Sequence, residues 1–95
     1  MVDDNKIAGF FKAIAHPTRV NILRTIYEKD ICVNDISKEL NINQPNTSQH
    51  LAILKNHNLL RKTKKGNEAC YKIKDEAIVK LIKEAEKLIE RLEKD

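Results

Sequence analysis

Between Val33 and Asn58 the chain runs VNDISKELNINQPNTSQHLAILKNHN, and this stretch limits the possible folds more than any other. Asn34 is a good N-cap for a helix over Asp35–Leu40, with Asp35 favoured at the positive end of the helix dipole and Ile36 and Leu40 facing inward. Asn41 then stands where the chain must turn through a left-handed conformation, which Asn tolerates better than most residues. Ile42 fills the corner, and Asn43 caps a second helix stiffened by Pro45 in its first turn. On that helix Thr47, Leu51, Leu54 and Asn58 share one face at 4-3-4 spacing, the packed side. Asn46, Ser48, Gln49 and Ala52 lie away from it, and Gln44 and His50 flank it. Two short helices joined by a tight turn are expected: a helix-turn-helix.

The second helix begins with the run Asn43-Gln44-Pro45-Asn46-Thr47-Ser48-Gln49-His50, which few globular cores can use. Capping accounts for Asn43 and Asn46. It does not account for Ser48-Gln49-His50, which lie mid-helix with indifferent helix propensity. Gln and Asn can make bidentate contacts to adenine, and Ser or Thr can contact several base edges, so the run suits a DNA-reading surface. Charge agrees: residues 33–74 carry eight Lys/Arg against three Asp/Glu, whereas residues 75–95 carry five against seven. Positive charge is concentrated where phosphates would be neutralised.

The flanking segments build the rest of one domain, 1–95. Ile7, Phe10, Phe11 and Ile14 recur at helical spacing over Lys6–Ala15. Pro17 opens a second helix through Val20, Ile22, Leu23, Ile26 and Tyr27, ending near Lys29-Asp30. Thr18 and Arg19 read there as a cap and a surface charge, and His16 as a boundary residue. Ile31-Cys32-Val33 is long enough for one edge strand. Strands at about 60–63 and 69–73 flank a Lys-Gly-Asn turn, a basic hairpin. Such a hairpin after a reading helix is a wing that reaches phosphate or the minor groove, and the run 31–33 supplies it with a third strand. From Asp75 onward Ile78, Leu81, Ile82, Ala85, Leu88, Ile89 and Leu92 form one apolar stripe on a helix of about twenty residues and roughly 30 Å. That length outruns so small a core, so the stripe, with Ile7, Phe10 and Phe11, is expected to pack against a second copy.

The expected fold is therefore mostly α with a small hairpin wing, in the order α-α-β-α-α-β-β-α. The helix-turn-helix spans about 34–57, the wing about 60–73 and the dimerisation helix about 75–93. The DNA-facing set is Gln44, Asn46, Thr47, Ser48, Gln49, His50, Lys55, Lys62, Lys64, Lys65 and Asn67. With two glycines and two prolines in 95 residues, a turn-rich β-sandwich or barrel is excluded. No Gly-rich phosphate loop, nucleophile–base pair or paired carboxylates suggest an enzyme. No apolar run approaches the ~20 residues needed to span a bilayer, and MVDDNKIAGFF lacks the basic start of a signal peptide. Cys32 and Cys70 form no CxxC pattern, which points to a reducing compartment; the expected location is cytoplasmic.

The segments AIAHPTRVNIL (13–23), ICVNDISKELNI (31–42), QPNTSQHLAILKNHNLL (44–60) and KKGNEACYKI (64–73) together resemble the ArsR/SmtB-type winged-helix repressors over nearly the whole chain. The resemblance implies a dimer that represses promoters, in a family whose members often release DNA on binding a metal or an oxidant. The family's sensing residues are largely replaced here. Where some members carry Cys-x-Cys, this chain has Cys32-Val33-Asn34, with one thiol. Where others bind zinc-like ions through an Asp, two His and a Glu, Asp75 matches but Ala77, Leu88 and Arg91 take the other positions. No metal site of either kind and no cofactor is expected. The wing carries Asn67 where the family commonly has Arg.

If the run 31–33 pairs with the strand 69–73, Cys32 and Cys70 fall on neighbouring strands. Two readings of them stay open: a redox-responsive pair, or two small buried hydrophobes. Function likewise has alternatives: a homodimeric repressor on an inverted-repeat operator, the same repressor sensing redox through its cysteines, or a winged-helix scaffold for protein–protein contact.

Overall fold

A computed structural model describes residues 1–28 and 31–94. The elements are α1 (Asp4–Ile14), α2 (Pro17–Glu28), α3 (Val33–Leu40), α4 (Gln44–Asn56), β1 (Leu60–Lys65), β2 (Glu68–Ile73) and α5 (Ala77–Leu92). Asp3 starts α1, its carboxylate accepting the Lys6 N–H at 2.9 Å. Pro17 is the first residue of α2, and the Nδ1 of His16 accepts the Thr18 N–H at 3.0 Å. His16 is thus the cap that the sequence reading gave to Thr18. The expected end of α2 near Lys29-Asp30 lies outside the described residues.

The helix-turn-helix closes as the asparagines dictate. Asn41 takes φ 55°, its N–H reaching the Lys38 carbonyl and that of Ile42 the Ser37 carbonyl, a Schellman ending. The same ending recurs after α4. Asn58 takes φ 65°, its N–H bonds Lys55 O at 3.0 Å, and the Leu59 N–H bonds Leu54 O at 2.9 Å. Asn58, expected on the packed face of the helix, is instead the exposed left-handed residue that terminates it. Leu51, Leu54 and Leu59 are fully buried with Ile22, Leu23 and Ile36, so α2, α3, α4 and the start of β1 share one core. Truncating any of these to Ala removes several methylenes from a site with no solvent access, the kind of change that costs about 2–5 kcal/mol.

Two expected boundaries moved. α3 begins at Val33 after Cys32, two residues earlier than an Asn34 cap would allow. The Asn34 side chain is released for a tertiary contact, its Nδ2 donating to Glu68 Oε1 at 3.0 Å. The run 31–33 consequently makes no third strand. Val33 and its successors are helical, and only Cys32 pairs with Cys70, as a single antiparallel bridge beside a two-stranded sheet.

The wing is antiparallel from Leu60↔Ile73 to Lys65↔Glu68, two residues longer in its first strand than expected. Its two-residue loop is Gly66-Asn67, with Gly66 at φ 61° where a Cβ would be strained. Leu60, Cys70 and Tyr71 anchor the hairpin in the core.

Asp75 stands two residues before α5, its Oδ1 accepting the Ala77 N–H at the helix's first residue at 2.9 Å. The Arg24–Glu86 ion pair and the Lys83 ammonium, 5.6 Å from the Tyr27 ring centre, hold α5 along α2. The apolar stripe divides. Ile78 and Ile82, expected at a dimer contact, are buried with Val79 in the domain's own core, because the first turns of α5 lie directly on α2. Phe10 is half-buried against the same core. Leu81, Leu88, Ile89 and Leu92 remain exposed, as do Ala85, Ile7 and Phe11.

Candidate nucleic-acid interface

Capping and packing orient the head of α4. Asn43 Oδ1 accepts the Asn46 N–H at 2.8 Å, and Pro45 fixes the first turn. Thr47 is fully buried: its hydroxyl donates to Asn43 O at 3.0 Å and accepts from the Ser37 hydroxyl at 2.8 Å. Thr47 therefore belongs to the scaffold rather than to the DNA-facing set, because both hydrogen-bonding roles of its hydroxyl are used inside the helix-turn-helix. Gln44, Asn46, Ser48 and Gln49 are exposed.

Gln44 and Ser48 meet the wing across a cleft of about 280 Å³, lined also by Val33, Asn34, Asn67, Glu68 and Ala69. The Asn34–Glu68 hydrogen bond spans this cleft's edge, so the hairpin tip is tied to α3 beside α4. Lys62, Lys64, Lys65 and Asn67 are all exposed on the hairpin. Lys55 is exposed too, but in the last turn of α4, roughly 16 Å along the helix from Gln44. The structure thus brings the helix head and wing tip together and leaves Lys55 apart from them.

His50 is half-buried rather than outward. Its ring lies 4.6 Å from that of His16, and its Nδ1 is 3.3 Å from Arg19 Nη1. Burial first, then the neighbouring His16 and Arg19, hold its pKa below the ordinary 6.5. The folded state favours the neutral ring, so this contribution is whole above the unfolded value and declines as pH falls from about 6.5 through the lower folded value. Melting temperature is expected to drop between pH 8 and pH 5, and His50→Gln to remove part of that drop; an identical slope in the variant would refute the assignment.

Arg19 and Glu68 are the contacts that sequence reasoning missed. Arg19 is 31 residues from His50, and Glu68 is 34 from Asn34, so no local spacing signals either pair. Cys32 and Cys70 are joined by a disulfide, and both are buried. Of the two readings left open, paired cysteines or separate buried hydrophobes, the structure has the pair: an isolated bridge sets the two residues opposite each other, as pairing of the run 31–33 with the second wing strand would, although only Cys32 of that run takes part. The bond links the entrance of α3 to the wing. Asp75, which matched a metal ligand, serves as a cap. Among the described residues no three His, Cys, Asp or Glu side chains gather as a metal site, and no helix is long and apolar enough to cross a membrane.

Residues 16–62 match the model of the bacterial regulatory protein, arsR family. The HTH-type transcriptional regulator Rv0081 of Mycobacterium tuberculosis is 33% identical over 89 residues, covering 93% of this chain and 78% of the relative. The chain belongs to the ArsR family. The HTH-type transcriptional regulator MJ1325 of Methanocaldococcus jannaschii is 38% identical over 84 residues, 87% of this chain and 94% of that one. The crystal structure of M. tuberculosis Rv0081 superposes with a TM-score of 0.84 at 30% identity, covering 93% of this chain and 89% of its own. A homodimeric winged helix-turn-helix DNA-binding domain from Mycobacterium bovis, a fragment of Mb0332, shares the fold with a TM-score of 0.81 at 22% identity, over 95% and 88% of the two chains. This ArsR-family regulator accordingly has the winged helix-turn-helix architecture, with α3 and α4 as its helix pair and β1–β2 as its wing.

Proposed function

We propose that this chain is a homodimeric repressor that binds an inverted-repeat DNA operator. One observation carries the reading: a helix head with exposed Gln44, Asn46, Ser48 and Gln49 adjoins a wing bearing exposed Lys62, Lys64 and Lys65. The amides and hydroxyls read base edges while the lysines and Asn67 hold the backbone, Lys55 extends the contact along α4, and His50, turned inward, supports the helix from behind. The exposed apolar residues of α1 and α5 are the surface for a second copy, and the Mb0332 domain of the same fold is homodimeric. Paired readers suit half-sites related by two-fold symmetry. The protein acts by binding rather than by catalysis, in the cytoplasm where its DNA target lies. Selection from a random duplex pool tests this: a palindromic consensus is expected, and recovery of no sequence preference at any salt concentration would sink the proposal.

The disulfide favours a second, compatible reading, in which the repressor senses redox state. A dithiol would reduce the Cys32–Cys70 bond to two thiols, itself closing to a disulfide, and untie the wing from α3. Operator affinity is then expected to differ with and without dithiothreitol in the wild type and to be indifferent to it in Cys70→Ser; equal affinity for both wild-type forms would end this reading.

A further inference from the structure

Three nitrogens of one guanidinium meet two helices besides their own. Arg19 Nε donates to Ala13 O at 2.7 Å and Nη2 to Lys12 O at 3.4 Å, while Nη1 lies 3.3 Å from His50 Nδ1. The two carbonyls belong to the last turn of α1, where a cation is favoured by the dipole; that of Lys12 also accepts the Ala15 N–H at 3.3 Å, so Arg19 is its second donor. The third contact reaches α4 one residue beyond Gln49. Arginine has donors only, so His50 Nδ1 is the acceptor and the neutral ring carries its proton on Nε2. His16 backs the arrangement from the start of α2, its own Nδ1 engaged by the Thr18 N–H.

From these contacts we infer that Arg19 is a positioning residue for DNA reading, locking the reading helix α4 to the end of α1 through His50. The inference rests on the proposed operator binding and adds the residue that sets its geometry. α1 carries exposed Ile7 and Phe11 on the surface proposed for the second copy. Part of the path that sets one reading helix relative to the other therefore runs through the junction that Arg19 makes, the rest running through α5 and α2. Two simpler roles differ in what they predict. A cap for α1 alone has no reason to depend on His50. A direct phosphate contact would contribute to binding of every sequence and to its salt dependence.

A double-mutant cycle on the full chain separates these roles. Arg19→Ala, His50→Ala and the double variant are each titrated with the selected operator and with a random duplex over a range of salt, alongside thermal melting. Arg19→Ala is expected to lower the operator-to-random affinity ratio roughly tenfold and to broaden the tolerated half-site spacing. Its affinity for random DNA and the salt slope on that DNA stay unchanged. The double variant is expected to lose no more than the worse single variant. Arg19→Lys, which lacks the planar fork, should fall between wild type and Arg19→Ala. If Arg19→Ala fails to melt cooperatively, the same cycle is run with Arg19→Lys. Additive losses, an unchanged ratio, or a reduced salt slope on random DNA would each overturn the inference. A wild type that ignores sequence sinks the operator proposal and this inference together, whereas a discriminating wild type with an additive cycle sinks only the latter.

Discussion

Replacing Phe11 and Leu88 together by glutamate is expected to yield a folded monomer whose operator affinity is lower by about 10²–10⁴-fold. Phe11 is 51% and Leu88 46% exposed, so neither change opens a cavity in the core. What the domain itself loses is small: the edge-on contact of Phe11 with Phe10 at 5.4 Å and a share of exposed apolar area. The self-association surface loses far more. It would place two carboxylates in an apolar contact, and burying charge in such a surface is among the costliest changes an interface can suffer. The affinity loss follows from linkage between half-sites, since a joined pair binds its second half-site at a high effective concentration and a monomer does not. Light scattering and operator titration on the same preparation read both effects. A variant that stays dimeric, or a monomer with wild-type operator affinity, would contradict the assignment. Ile78→Ala makes the contrast. That side chain is 7% exposed in the domain's own core, so its truncation is expected to lower melting temperature rather than to dissociate the pair.

The split of the α5 stripe shows where sequence reading reaches and where it stops. Helical periodicity places Ile78, Leu81, Ile82, Leu88, Ile89 and Leu92 on one side of a helix, yet it cannot say how far along that helix the domain's own core extends. That limit is set by where α2 ends its contact with α5, a tertiary fact. The asparagines make the same point locally. Asn41 was legible because it stands between two helices, where a left-handed residue is needed. Asn58 has the same role, but the apolar spacing runs up to it and hides the stop. Asn34 is a good cap by propensity, and a hydrogen bond to Glu68 across the wing occupies it instead. The reading head was legible because Asn43 caps it through a contact only three residues long. Thr47 appears in the same polar run and is buried, since a hydroxyl can satisfy itself against the Asn43 carbonyl and Ser37 while an amide such as Gln49 has too many groups to hide. Arg19 reads as a surface charge in the sequence because its partners, the carbonyls of α1 and the ring of His50, carry no residue-type signal at any fixed offset. Cys32 and Cys70 were legible in part: strand pairing of 31–33 with 69–73 puts them side by side, but the single bridge in place of a third strand is a product of folding.

Changing Lys62, Lys64 and Lys65 to alanine is expected to weaken binding to operator and random DNA about equally, by roughly a hundredfold for each wing near physiological salt. All three are exposed on β1 and make no part of the core, so stability should move by no more than about 0.5 kcal/mol. Their register supports this: Lys62 faces Tyr71, Lys64 faces Ala69 and Lys65 faces Glu68, so only Lys65 has an opposite charge across the strand. The size of the effect follows from counterion release. Each neutralised phosphate contributes about 0.9 to the slope of log affinity against log salt, so three lost contacts lower the slope by about 2.7 per wing, and twice that in a dimer. Gln49→Ala should do the opposite. It leaves the slope and random-DNA affinity alone and relaxes the preference at one base pair, a discrimination of about 1–3 kcal/mol for a bidentate amide contact. Titrations at several salt concentrations on both duplexes distinguish the two. A triple-lysine variant with the wild-type slope would remove the wing from the interface. One that lost only operator binding would make it a reader of sequence instead of a grip on the backbone.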